Sequence, residues 1–256
     1  MKVLKFIFLI GIIGFPSFIL KSQELLNITY EVSVELNLDN ITIHGVNVRD
    51  TNLAQSFSAM KDNKFYYELF LNHEESSFYP TEKINNDQPA EPGAIIIKIN
   101  PGGNNIYKDL KSQLIFEEKN LSNKKIIVSD TLKNYSWTLT NETKTVLGYE
   151  VRKAISYIDS AKVYTAWYAP ELPYKDGPFV YWGLPGLILE LEISDEKGSY
   201  EKSSFLAIEI KNSNKRNAIK KPRKGDLMTD VEYRKLVNDY MEKEKDLIFD
   251  GVDTSE

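Results

Sequence analysis

Apolar and polar residues alternate strictly from Ile28 to Leu38. Ile28, Tyr30, Val32, Val34, Leu36 and Leu38 fall on one parity; Thr29, Glu31, Ser33, Glu35 and Asn37 fall on the other. A period of two puts one row of side chains on each face, so this stretch predicts a half-buried β-strand. Ile41-Thr42-Ile43 and Val46-Asn47-Val48 continue in β-forming residues, with Gly45 placed for a bulge. Further strands are predicted at 65–71, 94–99, 114–117, 125–129, 135–140, 146–157, 162–168, 187–193 and 205–210. Residues 85–93, with Pro89, Pro92 and Gly93, read as a loop, and Pro101-Gly102-Gly103-Asn104-Asn105 reads as a turn. Strands recurring with few helical repeats between them predict a mainly β protein built on an antiparallel sheet.

One segment changes period. Thr229-Asp230-Val231-Glu232 has the spacing of a capping box, and Tyr233, Leu236, Val237, Tyr240 and Met241 then recur at three and four residues. This predicts a C-terminal amphipathic helix over 230–247 that lays one face on the sheet. At the other end, Lys2 and Lys5 precede an apolar run at 6–20, followed by Lys21-Ser22-Gln23-Glu24. Fifteen apolar-rich residues interrupted by Gly11, Gly14 and Pro16 suit a secretory leader cleaved after Ser22 better than a membrane span. The expected organisation is therefore a leader at 1–22, a β domain at 23–225, and a helix with tail at 226–256. No later apolar run is long enough to span, so the mature chain is expected to carry no transmembrane segment.

Composition narrows the chemistry. The 256-residue chain carries a formal net charge of −5, the wrong sign for a nucleic-acid binder working through a global basic field. Removing 1–22 takes away three lysines and makes the remainder more acidic. There is no cysteine, which excludes disulfides and thiolate chemistry. The two histidines are His44 and His73; His73-Glu74-Glu75 is a weak metal-ligand candidate and reads more simply as a solvated strand end. The chain has no Gly-x-Ser-x-Gly, His-Glu-x-x-His, P-loop or dinucleotide fingerprint, so no residue is assigned to catalysis, a metal or a cofactor. Lys215, Arg216, Lys220, Lys221, Arg223 and Lys224 form a basic cluster that reads as an exposed linker able to meet anionic headgroups or an acidic partner.

The informative stretch is 137–193. It contains, in order, Gly148-Tyr149, Lys153-Ala154, Ala166-Trp167-Tyr168, Gly177-Pro178 and Gly183-Leu184-Pro185-Gly186-Leu187-Ile188. This ordered set resembles the GLPGLI family of exported Bacteroidetes proteins. The resemblance implies export and a β-rich fold, and carries no established activity. Members often have a cysteine shortly after Gly-Tyr; this chain has none, so no role of that cysteine transfers. The order of strand, Ala-Trp-Tyr strand, proline loop and Pro-Gly-Leu turn also resembles the half-open barrel of periplasmic lipoprotein carriers. The expected fold is thus a strongly curved antiparallel sheet, in the manner of a half-open barrel, with a C-terminal helix.

The hexapeptide has its own physics. Leu184-Pro185-Gly186-Leu187 suits a type II turn, with proline setting φ and Gly186 taking a positive φ, and Leu187-Ile188 then enters a core strand. Tyr164 and Tyr168 share a strand face with Ala166, and Trp167 lies on the other. The loop 170–178, with three prolines, reads as stiff, polar and exposed. Trp167, Tyr168, Glu171, Asp176, Tyr181 and Trp182 make the candidate ligand surface. The expected function is an exported envelope protein, in the periplasm, at the outer membrane or secreted. It would act as a non-catalytic binding module whose concave face holds a small apolar or peptide-like ligand, or docks an outer-membrane transport complex. A structural role without ligand, and a hydrolase using Glu171 and Asp176, are the alternatives.

Overall fold

A computed structural model describes residues 25–43, 46–47, 49, 64–81, 103–157, 162–195, 197, 200–215 and 217–250. The leader, His44, the bulge at Gly45, the loop at 85–93, the strand expected at 94–99, Pro101-Gly102 and the tail beyond 250 lie outside the described residues.

The strands are β1 (Leu25–Leu36), β2 (Thr42–Ile43), β3 (Val46–Asn47), β4 (Phe65–Leu71), β5 (Glu75–Pro80), β6 (Ile106–Asp109), β7 (Leu114–Leu121), β8 (Lys124–Thr131), β9 (Thr138–Val146), β10 (Tyr149–Tyr157), β11 (Lys162–Ala169), β12 (Leu187–Asp195), β13 (Tyr200–Ser213) and β14 (Asp226–Thr229). The helix α1 is Asp230–Asp250. Among the described residues twelve strands form one sheet in the order β14-β8-β7-β6-β5-β4-β1-β13-β12-β11-β10-β9, while β2 and β3 pair apart from it. Every pairing is antiparallel except β14 with β8. The ends, β9 and β14, do not pair with each other, so the sheet is unclosed.

The alternation in β1 does what its period predicts. Ile28, Tyr30 and Val32 are buried on the inner face, opposite Leu69, Tyr67 and Phe65 of β4. The inner face is concave. Phe78 on β5 and Phe205 on β13 are separated by three strand steps, roughly 14 Å in a flat sheet, yet their ring centroids lie 6.4 Å apart. Tyr30 and Tyr67 complete the cluster around Phe78.

Three strands escape the hydrophobic pattern. β5 begins Glu-Ser-Ser and β6 carries Lys108 at its centre, so neither shows alternation. β14 is short and exposed, and is defined by its parallel pairing with Ile126–Ser129 rather than by composition. The strand expected across 146–157 is split by Leu147-Gly148, with φ of 51° and 84°. Two successive positive φ values make the tight turn of a β9–β10 hairpin. The strand expected from Tyr135 starts later, at Thr138, because Ser136 (φ 48°) sits in a turn whose N–H donates to Asn134 Oδ1 at 3.0 Å.

The helix starts as its capping box predicts: the Glu232 N–H donates to Thr229 Oγ1 (3.3 Å) and the Thr229 N–H donates to Glu232 Oε2 (2.8 Å). Tyr233, Leu236, Val237 and Tyr240 are half-buried, whereas Met241 is 58% exposed. No described helix is long and apolar enough to cross a membrane.

The basic cluster is not a solvated linker. Residues 217–225 cross the outer face toward β14 as a strap, and Arg216 lies outside the described residues. Ser77 Oγ accepts from the Lys220 N–H (2.7 Å) and Tyr79 Oη donates to the Ala218 carbonyl (3.4 Å). Ala218 is buried, and Ile219 packs on Tyr107, Phe116 and Ile127. Lysine ammonium groups sit over aromatic rings of the outer face, Lys221 Nζ being 4.0 Å from the Phe116 centroid. The strap is thus anchored on the outer faces of β4 to β8 through the buried Ala218 and Pro222, while its described basic residues are exposed.

Candidate functional site

The segment 170–186, between β11 and β12, turns inward. The Leu187 N–H donates to Leu172 O (2.9 Å), the Ile188 N–H to Asp176 O (3.0 Å) and the Gly183 N–H to Lys175 O (3.0 Å). Phe179 stacks on Phe205 with centroids 6.3 Å apart, Tyr181 meets Tyr164 at 5.5 Å, and Leu184 is buried. The concavity expected to hold a ligand is thus packed with the protein's own loop.

At its centre Asp176 is ion-paired with Lys108 of β6, both side chains 0% exposed. Lys108 Nζ also donates to Gly177 O at 2.8 Å and reaches Tyr181 O at 3.5 Å. Three acceptors around one ammonium compensate for its lost water. Burial pulls the Lys108 pKa down, against the opposing pull of Asp176. Tyr30 Oη donates to Ile188 O at 2.6 Å, and its pKa is raised well above the usual value, by burial first and by the Asp176 charge second. The loop is therefore not exposed throughout. Glu171 is exposed but Asp176 lies in the core against a lysine, so the expected acid pair on one surface is replaced by a buried ion pair. The reason is a partner 68 residues away in sequence.

The hexapeptide is built for close approach. The positive φ, 96°, falls at Gly183 and not at Gly186, so the expected type II turn is corrected. A Cβ on Gly186 would lie 2.3 Å from the Ala169 carbonyl oxygen. A Cβ on Gly177 would lie 2.7 Å from that of Ile188. Both glycines let chain segments touch where no side chain fits. Leu187 and Ile188 then enter the core strand as expected.

The six expected ligand residues do not share a surface. Tyr168 and Tyr181 are buried with Asp176 on the inner side. Trp167 lies on the outer face under Lys144 Nζ, 4.3 Å from its centroid, and Lys144 is paired with Glu190 at 2.6 Å. Tyr181 edges a smaller cleft of about 320 Å³ that also meets Asp230 and Arg234, and Trp182 lines a larger one. This open cleft, about 770 Å³, lies where the loop's outer edge meets 132–139, the β4–β5 turn and the β6–β7 turn. Trp137, Trp182, Tyr135, Tyr174 and His73 form its aromatic walls, with Gly183, Leu184 and Pro185 between them. The Trp137 indole N–H donates to Trp182 O (2.9 Å), and the Trp182 indole N–H donates to Lys133 O (2.8 Å). His73 stacks on Tyr174 at 4.5 Å and 12°, and Tyr135 on Trp137 at 5.5 Å and 28°. Burial pushes the Tyr135 phenol pKa up. Asn72, Gln113, Lys133, Asn134 and Lys175 supply polar lining, and Leu139 is 53% exposed. His73 is thus a ring in an aromatic wall, and among the described residues no three His, Asp or Glu side chains gather as metal ligands. The sequence reading missed Trp137 and Tyr135 as site residues; the available signal was Trp137 itself, an aromatic just before a polar strand.

With both indole donors spent on carbonyls, the tryptophans offer the cleft flat apolar faces, and the rim offers amides and two ammonium groups. That arrangement suits a ligand with alternating flat and hydroxylated or amide surfaces better than an acyl chain.

The fold is similar to solved proteins. Two structures of PNGF-II, in C2 and P21 space groups, match with TM-scores of 0.53 and 0.51 at 20% identity, covering 84% and 83% of this chain. The match covers 32% and 33% of those chains, so this chain spans about a third of their length. A LolA superfamily protein from Nitrosomonas europaea matches at a TM-score of 0.32 and 9% identity, over 78% of this chain and 91% of that one. No curated protein matches. The family model for the N-terminal domain of N-glycanase peptide matches residues 68–235, well over half of the chain, and the chain belongs to that family.

Proposed function

We propose that the protein is an exported, non-catalytic binding module of the cell envelope, and that the aromatic cleft holds a glycopeptide. The observation that carries this reading is the pair Trp137 and Trp182, locked by indole-to-carbonyl hydrogen bonds on the wall of an open cleft with amide side chains in its lining. Pre-oriented rings lose little entropy on binding. The inner face, packed with the loop, argues against an apolar ligand in the concavity. The family name points to glycopeptides as the chemistry nearby. Export from a leader at 1–22 and membership of the GLPGLI family belong to the same reading. A purely structural role is the second reading, favoured by the close-packed glycines of the hexapeptide.

A fluorescence titration separates them. In a Trp167→Phe variant only Trp137 and Trp182 report. An N-glycopeptide should give a saturable change, the same peptide without its glycan a much weaker one, and Trp182→Ala should weaken binding by roughly 30-fold, about 2 kcal/mol. Absence of saturable change with the glycopeptide would leave the structural role.

A further inference from the structure

The second concave feature lies at the opposite end of the same strands. The aromatic cleft sits at the β4–β5 and β6–β7 turns and at the end of β8; the other groove, about 610 Å³, is lined from Asn104-Asn105, 118–120, 125–126 and the strap. The two are roughly 20 Å apart along the strands. We propose that this groove binds phosphate groups.

Its lining is set by the strap. Lys119, Lys125, Lys220, Lys221, Arg223 and Lys224 line it; among the described residues Lys119 pairs with Glu117, the other five form no ion pair, and Lys220 and Lys221 set Nζ over the Tyr79 and Phe116 rings. Several lysines elsewhere in this acidic chain do pair: Lys64 with Glu31, Lys144 with Glu190, Lys153 with Glu142, Lys162 with Asp195, Lys202 with Glu192 and Lys211 with Glu209. Carboxylates outnumber cations, 37 to 32, so unpaired cations here do not reflect a shortage of acids. Like charges held together repel unless an anion joins them. Glu118 is the one acid in the described lining, and its Oε1 lies 3.4 Å from the Asn105 amide nitrogen, which donates to it.

The cations are held in place rather than trailing. The Asn105 Nδ2 donates to Lys220 O at 3.3 Å, and Ser77 fixes the same residue through its N–H. The strap then closes on β8 at Gly225 (φ 146°), where a Cβ would meet the Lys125 carbonyl oxygen at 2.8 Å. A rigid backbone presenting a guanidinium beside four ammonium groups suits phosphate oxygens, which accept a forked pair from arginine. Asn105 Oδ1 is buried with no hydrogen-bond partner, a place for a hydroxyl next to the phosphate, as in a phosphate ester.

The test uses the full chain, inorganic pyrophosphate, and vesicles of phosphatidylcholine with and without phosphatidylglycerol. The triple variant Lys220→Gln, Arg223→Gln, Lys224→Gln should bind at least tenfold more weakly than wild type. A control removing the same charge elsewhere, Lys144→Gln, Lys153→Gln, Lys202→Gln, should bind as wild type does, and circular dichroism checks that both fold. Pyrophosphate binding alone places the source in solution; binding only to phosphatidylglycerol vesicles places it in a lipid headgroup. No saturable binding of either probe, or equal loss in the control, overturns the proposal. The glycopeptide titration reads the other cleft and is unaffected by either result.

Discussion

Two long connections cross this sheet on opposite faces. Residues 170–186 cover the inner face and 217–225 the outer, and they are covers of different kinds. The inner loop buries whole side chains, including an ion pair, and ties its backbone to β12, Lys108 and Trp137 as well as to itself. The strap is held by a few backbone hydrogen bonds, by the buried Ala218 and Pro222 and by ammonium–ring contacts, and its described basic residues stay exposed. Buried charge with few alternatives fixes one conformation at a high cost of disruption, whereas exposed charge on a fixed backbone is free to meet a partner. The hexapeptide, the most recognisable part of the chain, belongs mainly to the first kind.

The largest break in this comparison should come at the ion pair. Lys108→Met leaves a buried carboxylate without its counter-charge and should cost about 3–5 kcal/mol in urea unfolding. Adding Asp176→Leu should restore most of that stability, because two apolar groups need no partner. If the single variant loses less than about 1 kcal/mol, the inner loop is not held as described.

High pH should be the next most damaging. Tyr30 has its phenol pKa raised by burial and by the Asp176 charge, and Tyr107 and Tyr135 are raised mainly by burial. A raised pKa means that the folded protein keeps a proton the unfolded chain gives up. The corresponding stability is complete below about pH 10 and falls as pH rises beyond it. Lys108, with its pKa lowered, works in the opposite sense over the range between its folded and ordinary values. Above the ordinary lysine pKa only the phenols act, so the slope there is negative, and thermal melts in that range check it. Tyr30→Phe should flatten the slope.

Gly186→Ala should cost about 1–3 kcal/mol, since the new methyl meets Ala169 O and the neighbouring backbone must shift. On the strap, Ser77→Ala removes the acceptor of the Lys220 N–H and should cost about 1 kcal/mol. Equal effects at Gly186 and Ser77 would remove the distinction between the two covers.

Much of the frame was legible from local pattern. The period-two run of β1, the strand at Phe65–Leu71 and the capping box of α1 each carry their signal in adjacent residues; the last two appear where expected, and the first does so as far as Leu36, with Leu38 in a 3-10 turn. What was not legible depends on distant partners. Asp176 reads as an exposed loop acid until Lys108 is brought against it, and Lys108 itself breaks the apolar pattern of β6. β14 is a strand only because the strap delivers it beside β8. Parity correctly put Trp167 and Tyr168 on opposite faces, which already meant that they could not line one pocket. The cleft is assembled from turns of several strands, and aromatic density within 162–182 pointed to only part of it.

The central claim is that the inner loop is a fixed part of the core and that ligand binds at its edge. Native-state hydrogen exchange with and without the glycopeptide tests it most directly. The account predicts that the Leu187 and Ile188 amides, donating to Leu172 O and Asp176 O, exchange only through global unfolding in both states. Added protection should appear at 133–137 and 182–183. Fast local exchange across 176–188 that ligand suppresses would contradict it, and would make the loop a lid over the concave face.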